Sequence, residues 1–197
     1  MQSLSTRKGY VVYLEDLLEQ AQQKALSIVE EKSPNLPNKP EVARQVGIGA
    51  VIYSILSNNR IKDIDFSWER SLNFDGETGP YVQYTHARCC SVLRKAAELD
   101  LPQGDFSCLT DDEAQEILRQ LSRFPHVIRE AAAKYEPSMI TRAVTDLAQA
   151  YNKFYYEHRI LTEDLPASAA RVALTEAVKN TVKRGLYLVG IEAPERM

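Results

Sequence analysis

Residues 76–94 read GETGPYVQYTHARCCSVLR, a turn that opens into a helix, and from Pro80 onward the chain reads helical almost throughout. The first face of that helix carries Tyr81, Tyr84, His86 and Arg88. Flat rings and a guanidinium on one exposed helical surface suit unstacked RNA bases, which stack on aromatic or arginine planes and are hydrogen-bonded at their edges. The same spacing also describes aromatics turned into a core, the commoner use of that period. Both readings stand on the residues alone.

Outward from this helix, breaks are expected at Pro102 to Thr110, Phe124 to Pro125, Glu136 to Pro137 and Glu163 to Ala167. They leave five helices joined by short connections, an all-α bundle. Thr110-Asp-Asp-Glu113 fits a capping box, with Thr110 covering a free amide and Glu113 reaching back. Pro137 fits a first helical turn, where its missing donor does no harm. On the N-terminal side, Leu14, Leu17, Leu18, Ala21, Ala25 and Ile28 recur with a helical period, predicting an amphipathic helix over residues 15–32. The stretch SPNLPNKP, residues 33–40, stops it, because proline lacks a backbone donor and asparagine favours turns. A second helix is expected over residues 41–56, where GIGAVIYSIL is apolar on most sides and Gly47 and Gly49 suggest close helix packing. Phe66 and Trp68 alternate with polar neighbours, as in a short strand or extended segment. The domain boundary is expected near Asp75 to Gly79, dividing the chain into 1–75 and 76–197.

Composition is that of an ordinary soluble globular chain: 197 residues, 44% hydrophobic and 26% charged. No run approaches the roughly 18 apolar residues a membrane helix needs, and MQSLSTRKG is polar, so a cytoplasmic location with no membrane partner is expected. Cys89, Cys90 and Cys108 make neither a disulfide framework nor a metal set, and no metal site is expected. Net charge is −3. Residues 1–136 carry 16 cationic against 20 acidic side chains and residues 137–197 carry 8 against 7, so attraction for phosphate has to come from local patches. The tract AYNKFYYEHR, residues 150–159, interleaves aromatics with Lys153 and Arg159. Its four aromatics within six residues cannot share one buried face, so some must be exposed or lie at an interface. His126 and His158 have no partner spaced as a ligand or nucleophile, and Asp111, Asp112 and Glu113 read as capping residues, not as a general acid and base.

The opening segment closely resembles the start of the anticodon-binding domain of arginyl-tRNA synthetases, where Phe-Asp/Glu-Gly-x-Thr-x-Pro-Tyr-x-Gln-Tyr leads into x-x-x-Arg and a long helix. Phe74, Gly76, Thr78, Pro80, Tyr81, Gln83, Tyr84 and Arg88 fall in place. The final GIEAPERM is similar to the family's closing Leu-Gly, short variable stretch and Glu-Arg-Met, and ARVALTEAVKNTVKRGLYLVG, residues 170–190, resembles its last helix with Val172 and Val189 in place of leucines. At the other end, STRKGYVVYLEDLL, residues 5–18, resembles the family's last catalytic signature loop and the helix after it. The related helical domain of cysteinyl-type synthetases fits less well, because Pro-Tyr-x-Gln-Tyr and the closing Glu-Arg-Met look arginyl.

This resemblance implies a DALR-type helical anticodon-binding bundle over 76–197, preceded by a helical linking segment with a short extended stretch and the end of a class I catalytic domain over 1–75. It implies a partner, tRNA(Arg), and no DNA partner. It implies a base pocket for the middle anticodon cytidine built from Tyr81, Arg88 and Met197, with Tyr84 a further candidate and a second stacking aromatic at Tyr155 or Tyr156. Tyr81 and Arg88, seven positions apart, lie about 10 Å along one helical face. In the ATP-side loop, Arg7 and Lys8 are the catalytic candidates. Thr6 stands where Lys-Met-Ser-Lys-Ser has its key lysine, and Ser3 and Leu4 replace the first two residues. The chain has no His-x-Gly-His signature and no Rossmann glycine pattern, so by itself it is not expected to form an aminoacyl-adenylate. The expectation is therefore a piece of an arginine-attaching enzyme that binds no cofactor itself, the full-length monomer using ATP and Mg2+. The alternative is a non-catalytic helical module whose partner is a protein.

Overall fold

The computed structural model describes residues 13–197; the loop bearing Arg7 and Lys8 lies outside them. The α-helices are α1 Leu14–Lys32, α2 Lys39–Leu56, the single turn α3 Trp68–Ser71, α4 Gly79–Ala96, α5 Asp112–Lys134, α6 Ser138–Glu157 and α7 Leu165–Leu188, with a 3-10 turn at Phe106–Cys108. No strand occurs among the described residues, and the all-α architecture stands.

Two hydrophobic cores are built side by side. In the smaller one, Ala25 and Val29 of α1 meet Val42, Ala43, Val46 and Ala50 of α2, with Leu72 buried beside them and Trp68, Phe74 and Met197 packed over the edge. A Cβ on Gly47 would stand 2.6 Å from the Ala21 carbonyl oxygen, so only glycine lets α1 and α2 cross this closely. The larger core fills the space among α4, α5, α6 and α7 with Val82, Ile117, Val144, Leu147, Phe154, Leu174 and Val178 among others. Helix α2 serves both, because Tyr53 near its end is buried in the larger core and donates its hydroxyl hydrogen to the Thr141 carbonyl at 2.8 Å. A Cβ on Gly79 would lie 2.9 Å from the Gly49 carbonyl oxygen, so backbone meets backbone where α2 crosses the start of α4.

Several expected boundaries shift for physical reasons. Helix α5 runs unbroken through Pro125, so four long helices follow Gly79 where five were expected. Ile117, Phe124 and Ala131 keep a buried helical face across the proline, whose own position is exposed, so water can satisfy the carbonyl left without a donor. Its N-cap is Asp111, whose carboxylate accepts from the Ala114 amide at 3.0 Å, in place of Thr110. An ionised acceptor also complements the helix dipole, which a hydroxyl does not. Glu113 does not reach back to the cap but faces α6. The α6–α7 connection occupies 158–164, earlier than residues 163–167, because Asp164 caps Ala167 at 3.0 Å and Pro166 sits in the first turn. Trp68 opens α3 instead of continuing an extended run, its ring edge-on to Phe66 at 4.9 Å.

Candidate nucleic-acid interface

Helix α4 begins with Thr78, whose Oγ1 accepts from the Tyr81 amide at 3.2 Å, and Pro80 fills the first turn where no donor is needed. Gln83, fully buried, donates through Nε2 to the Gln45 carbonyl of α2 at 3.0 Å and to the Glu192 carbonyl at 2.7 Å. One amide thus ties α2, α4 and the chain's last segment together. That segment leaves α7 at Gly190, where φ is +77°, and crosses α4. Arg44 pairs with the Glu192 carboxylate at 2.7 Å, the His86 Nδ1–H donates to the Pro194 carbonyl at 2.9 Å, and Arg94 donates to the Glu195 carbonyl at 3.2 Å. His86 is only 1% exposed, so it belongs to this seam and not to an RNA-facing surface. Much of the Thr-x-Pro-Tyr-x-Gln-Tyr pattern therefore specifies a helix cap and a docking seam.

The seam delivers Arg196 and Met197 to one wall of a groove of about 1120 Å³. Its other walls are residues 33–37, the α4 face from Tyr84 to Lys95, and residues 155–161 at the end of α6. Within it, the Arg88 guanidinium carbon lies 5.0 Å from the ring centre of Tyr84 and 5.0 Å from that of Tyr155. Each cation–π contact of this kind contributes about 0.5–1 kcal/mol at a partly exposed site. Both tyrosines are 40% exposed, which leaves ring surface free for a ligand. Arg88, Arg94, Lys95, Arg159 and Arg196 line the groove against one acidic side chain, Glu157. A protein of net charge −3 thus presents a local cationic surface.

Of the residues singled out from sequence, Tyr84, Arg88, Tyr155 and Met197 come together here. Tyr81 does not line the groove: it is half-buried, packs against the larger core and lies two turns before Arg88 on α4. In the 150–159 tract, Tyr151 and Phe154 are fully buried while Tyr155 and the 90% exposed Tyr156 face the groove, the split that four clustered aromatics demand. Sequence reasoning did not find Asn152, which bonds Arg88, nor the loop 33–37 that forms a wall; neither carries a local signal.

His158 acquires partners that its sequence neighbours do not supply. Its Nε2 lies 3.3 Å from Glu113 and 3.7 Å from Asp111 of α5, and Lys153 reaches Glu113 at 2.9 Å. Asp111, Glu113 and His158 could together offer three ligand atoms to an ion, but the Lys153 ammonium and the start of α5 already supply positive charge to these carboxylates. The arrangement is an ionic clasp between α5 and α6.

Residues 82–197, more than half of the chain, match the model of the DALR anticodon binding domain. The chain belongs to this family. Residues 1–68 match the catalytic domain of class I (R) tRNA synthetases. The chain is 53% identical over 195 residues to an arginine–tRNA ligase of Clostridioides difficile and 50% identical over 194 residues to one of Alkaliphilus metalliredigens, covering 99% and 98% of this chain and 34% of each relative. It superposes on arginyl-tRNA synthetase of Thermus thermophilus with a TM-score of 0.88 at 37% identity, over 95% of this chain and 32% of that one. It spans about a third of the length of the curated relatives it matches. This member of the DALR family has no described helix long and apolar enough to cross a membrane.

Proposed function

We propose that this chain reads the anticodon of tRNA(Arg) and is part of a cytoplasmic, monomeric arginine–tRNA ligase, with the RNA held in the cationic groove between α4, the end of α6 and residues 191–197. The observation that carries the reading is Arg88 held between the rings of Tyr84 and Tyr155 at 5.0 Å from each. A guanidinium so placed offers donors to a base edge, and the flanking rings offer stacking worth about 1–3 kcal/mol per base. Met197 supplies an apolar edge beside them, while Arg94, Lys95, Arg159 and Arg196 suit backbone phosphates. The base assigned to this pocket is the middle anticodon cytidine. Tyr81, expected as a stacking ring of this pocket, packs against the larger core at the start of α4, and Tyr84 and Tyr155 take the stacking role in this reading.

On this reading residues 76–197 are the anticodon-binding unit, and residues 1–75 close the catalytic domain, where Arg7 or Lys8 would address ATP. The full-length ligase would use ATP with Mg2+ to attach arginine; no described residue is assigned to either.

The test is binding of the chain to a tRNA(Arg) transcript and to the same transcript with its middle anticodon base replaced, at two salt concentrations. The expected result is about tenfold weaker binding of the replaced transcript, the size of one specific base contact, and affinity for both that falls as salt rises. Equal binding of the two transcripts would reduce the interaction to charge, and no binding would favour a protein partner for this surface.

A further inference from the structure

Arg94 of the groove bonds a single backbone carbonyl, that of Glu195, whereas Arg88 is held by a relay of side chains that passes between two helices. The Arg88 Nη1 donates to Asn152 Oδ1 of α6; Asn152 Nδ2 donates to Thr85 Oγ1 at 2.9 Å; and Thr85 donates to the Tyr81 carbonyl at 3.0 Å. Each direction in this relay is forced. Arginine has only donors, so Asn152 must turn its oxygen towards it. Thr85 is fully buried and its single hydroxyl hydrogen is committed to the Tyr81 carbonyl, so its oxygen can only accept, which fixes the other end of the Asn152 amide. A flipped amide would set donor against donor and lone pair against lone pair. The relay starts in the α4 backbone, crosses to α6 and returns to α4 at Arg88.

We infer that Asn152 is a specificity-positioning residue: it holds the Arg88 guanidinium between Tyr84 and Tyr155, where it can read a base edge, and prevents it from swinging onto a phosphate. An arginine has enough rotatable bonds to reach either target, and phosphate contacts carry no sequence information. What decides between base reading and charge attraction is the restraint. Asn152 touches no RNA in this scheme and acts only through Arg88. The inference rests on the anticodon reading proposed above and deepens it.

The experiment compares the unaltered chain, Arg88→Ala, Asn152→Ala and Thr85→Val on the tRNA(Arg) transcript and on its middle-base replacement, each at two salt concentrations. The unaltered chain should discriminate about tenfold, and Arg88→Ala should bring that ratio near one. Asn152→Ala should also lose most of the discrimination, through weaker binding of the cognate transcript alone, while its salt dependence steepens by about 0.7 in slope as Arg88 joins a phosphate. Thr85→Val, which keeps shape but removes the acceptor, should shift the ratio in the same direction, and it decides the matter if Asn152→Ala does not fold. Full discrimination by Asn152→Ala beside a loss in Arg88→Ala overturns the positioning role and leaves the anticodon reading intact. Equal weakening of both transcripts by Asn152→Ala makes the residue structural and overturns the inference as well. Discrimination that survives in Arg88→Ala, or is missing in the unaltered chain, overturns the anticodon reading and this inference with it.

Discussion

His86 and Pro194, 108 positions apart, are joined by a ring nitrogen 2.9 Å from a carbonyl oxygen. A carbonyl only accepts, so Nδ1 carries the hydrogen, and a neutral ring then presents its bare Nε2 to the Cys90 sulfur at 3.8 Å. Burial pushes the pKa of His86 below its ordinary value, partly offset by the Pro194 carbonyl, with Lys183, Lys179 and Glu195 adding smaller effects of both signs. The unfolded chain therefore takes up a proton more readily than the folded one. Stability is fully present above the unfolded value of about 6.5 and falls as pH drops through it. Denaturant midpoints measured from about pH 7.5 down to about pH 5.5 should decline, and His86→Asn, whose amide can still donate to Pro194 without titrating, should lose that slope. An unchanged slope in the variant would assign the titration to another group.

Gln83 makes a different prediction about the same seam. Replacing it by leucine keeps the volume but leaves the Glu192 carbonyl without its donor, at about 1–3 kcal/mol for a buried group without a partner, while the Gln45 carbonyl keeps its bond within α2. Gln83→Leu should lower unfolding stability by about 1–2 kcal/mol and speed amide exchange over residues 191–197 more than over α5. Uniform acceleration along the chain would mean that Gln83 supports the fold generally and not the seam.

Pro125 is a site where stability can be gained. Alanine there restores an amide donor inside α5 and relieves the clash with the preceding turn, so Pro125→Ala should stabilise by about 1–3 kcal/mol, less the added freedom of the unfolded chain. A destabilised variant would mean that the proline fits a bend the bundle requires.

The clasp between α5 and α6 should make the protein acid-sensitive. The Lys153 ammonium, then a local backbone amide and His158, hold the Glu113 carboxyl down to about 2. Its contribution is present above the unfolded value of about 4.3 and is lost as pH falls towards about 2. Glu113→Gln should flatten the stability profile in that acid window and leave it unaltered near neutrality. A profile identical to that of the unaltered chain would mean that the clasp is too solvated to matter.

Helix positions were readable wherever one face stays apolar, as in α1, since periodicity reports burial directly, while α2 was readable as a continuous apolar run between breakers. Pro125 misled because its local effect is strong while the helical pattern of Phe124 and Ala131 around it is stronger. Thr110 misled because two adjacent residues can each cap and only geometry selects Asp111. In the groove, Arg88 and Tyr84 were legible as a motif, and the four aromatics from Tyr151 to Tyr156 had to divide between inside and outside. Asn152 and the 33–37 wall were not legible, because their role depends on pairings across more than fifty positions for which no single-sequence pattern exists. His158 is the same lesson in ionic form, with partners brought by the docking of α5 on α6.

The groove is walled by both cores: residues 33–37 follow from the α1–α2 hairpin, while Tyr84, Arg88 and Tyr155 stand on the larger bundle. Any ligand that touches both walls must favour the state in which the two cores are docked, and by reciprocity whatever holds the cores together raises affinity by the same factor. The hairpin is then more than a spacer. Through it, the affinity of such a ligand is coupled to the docking of the two cores, so a substitution at Gly47, where a Cβ would push α1 and α2 apart, should register as a change in binding although Gly47 lines no part of the groove.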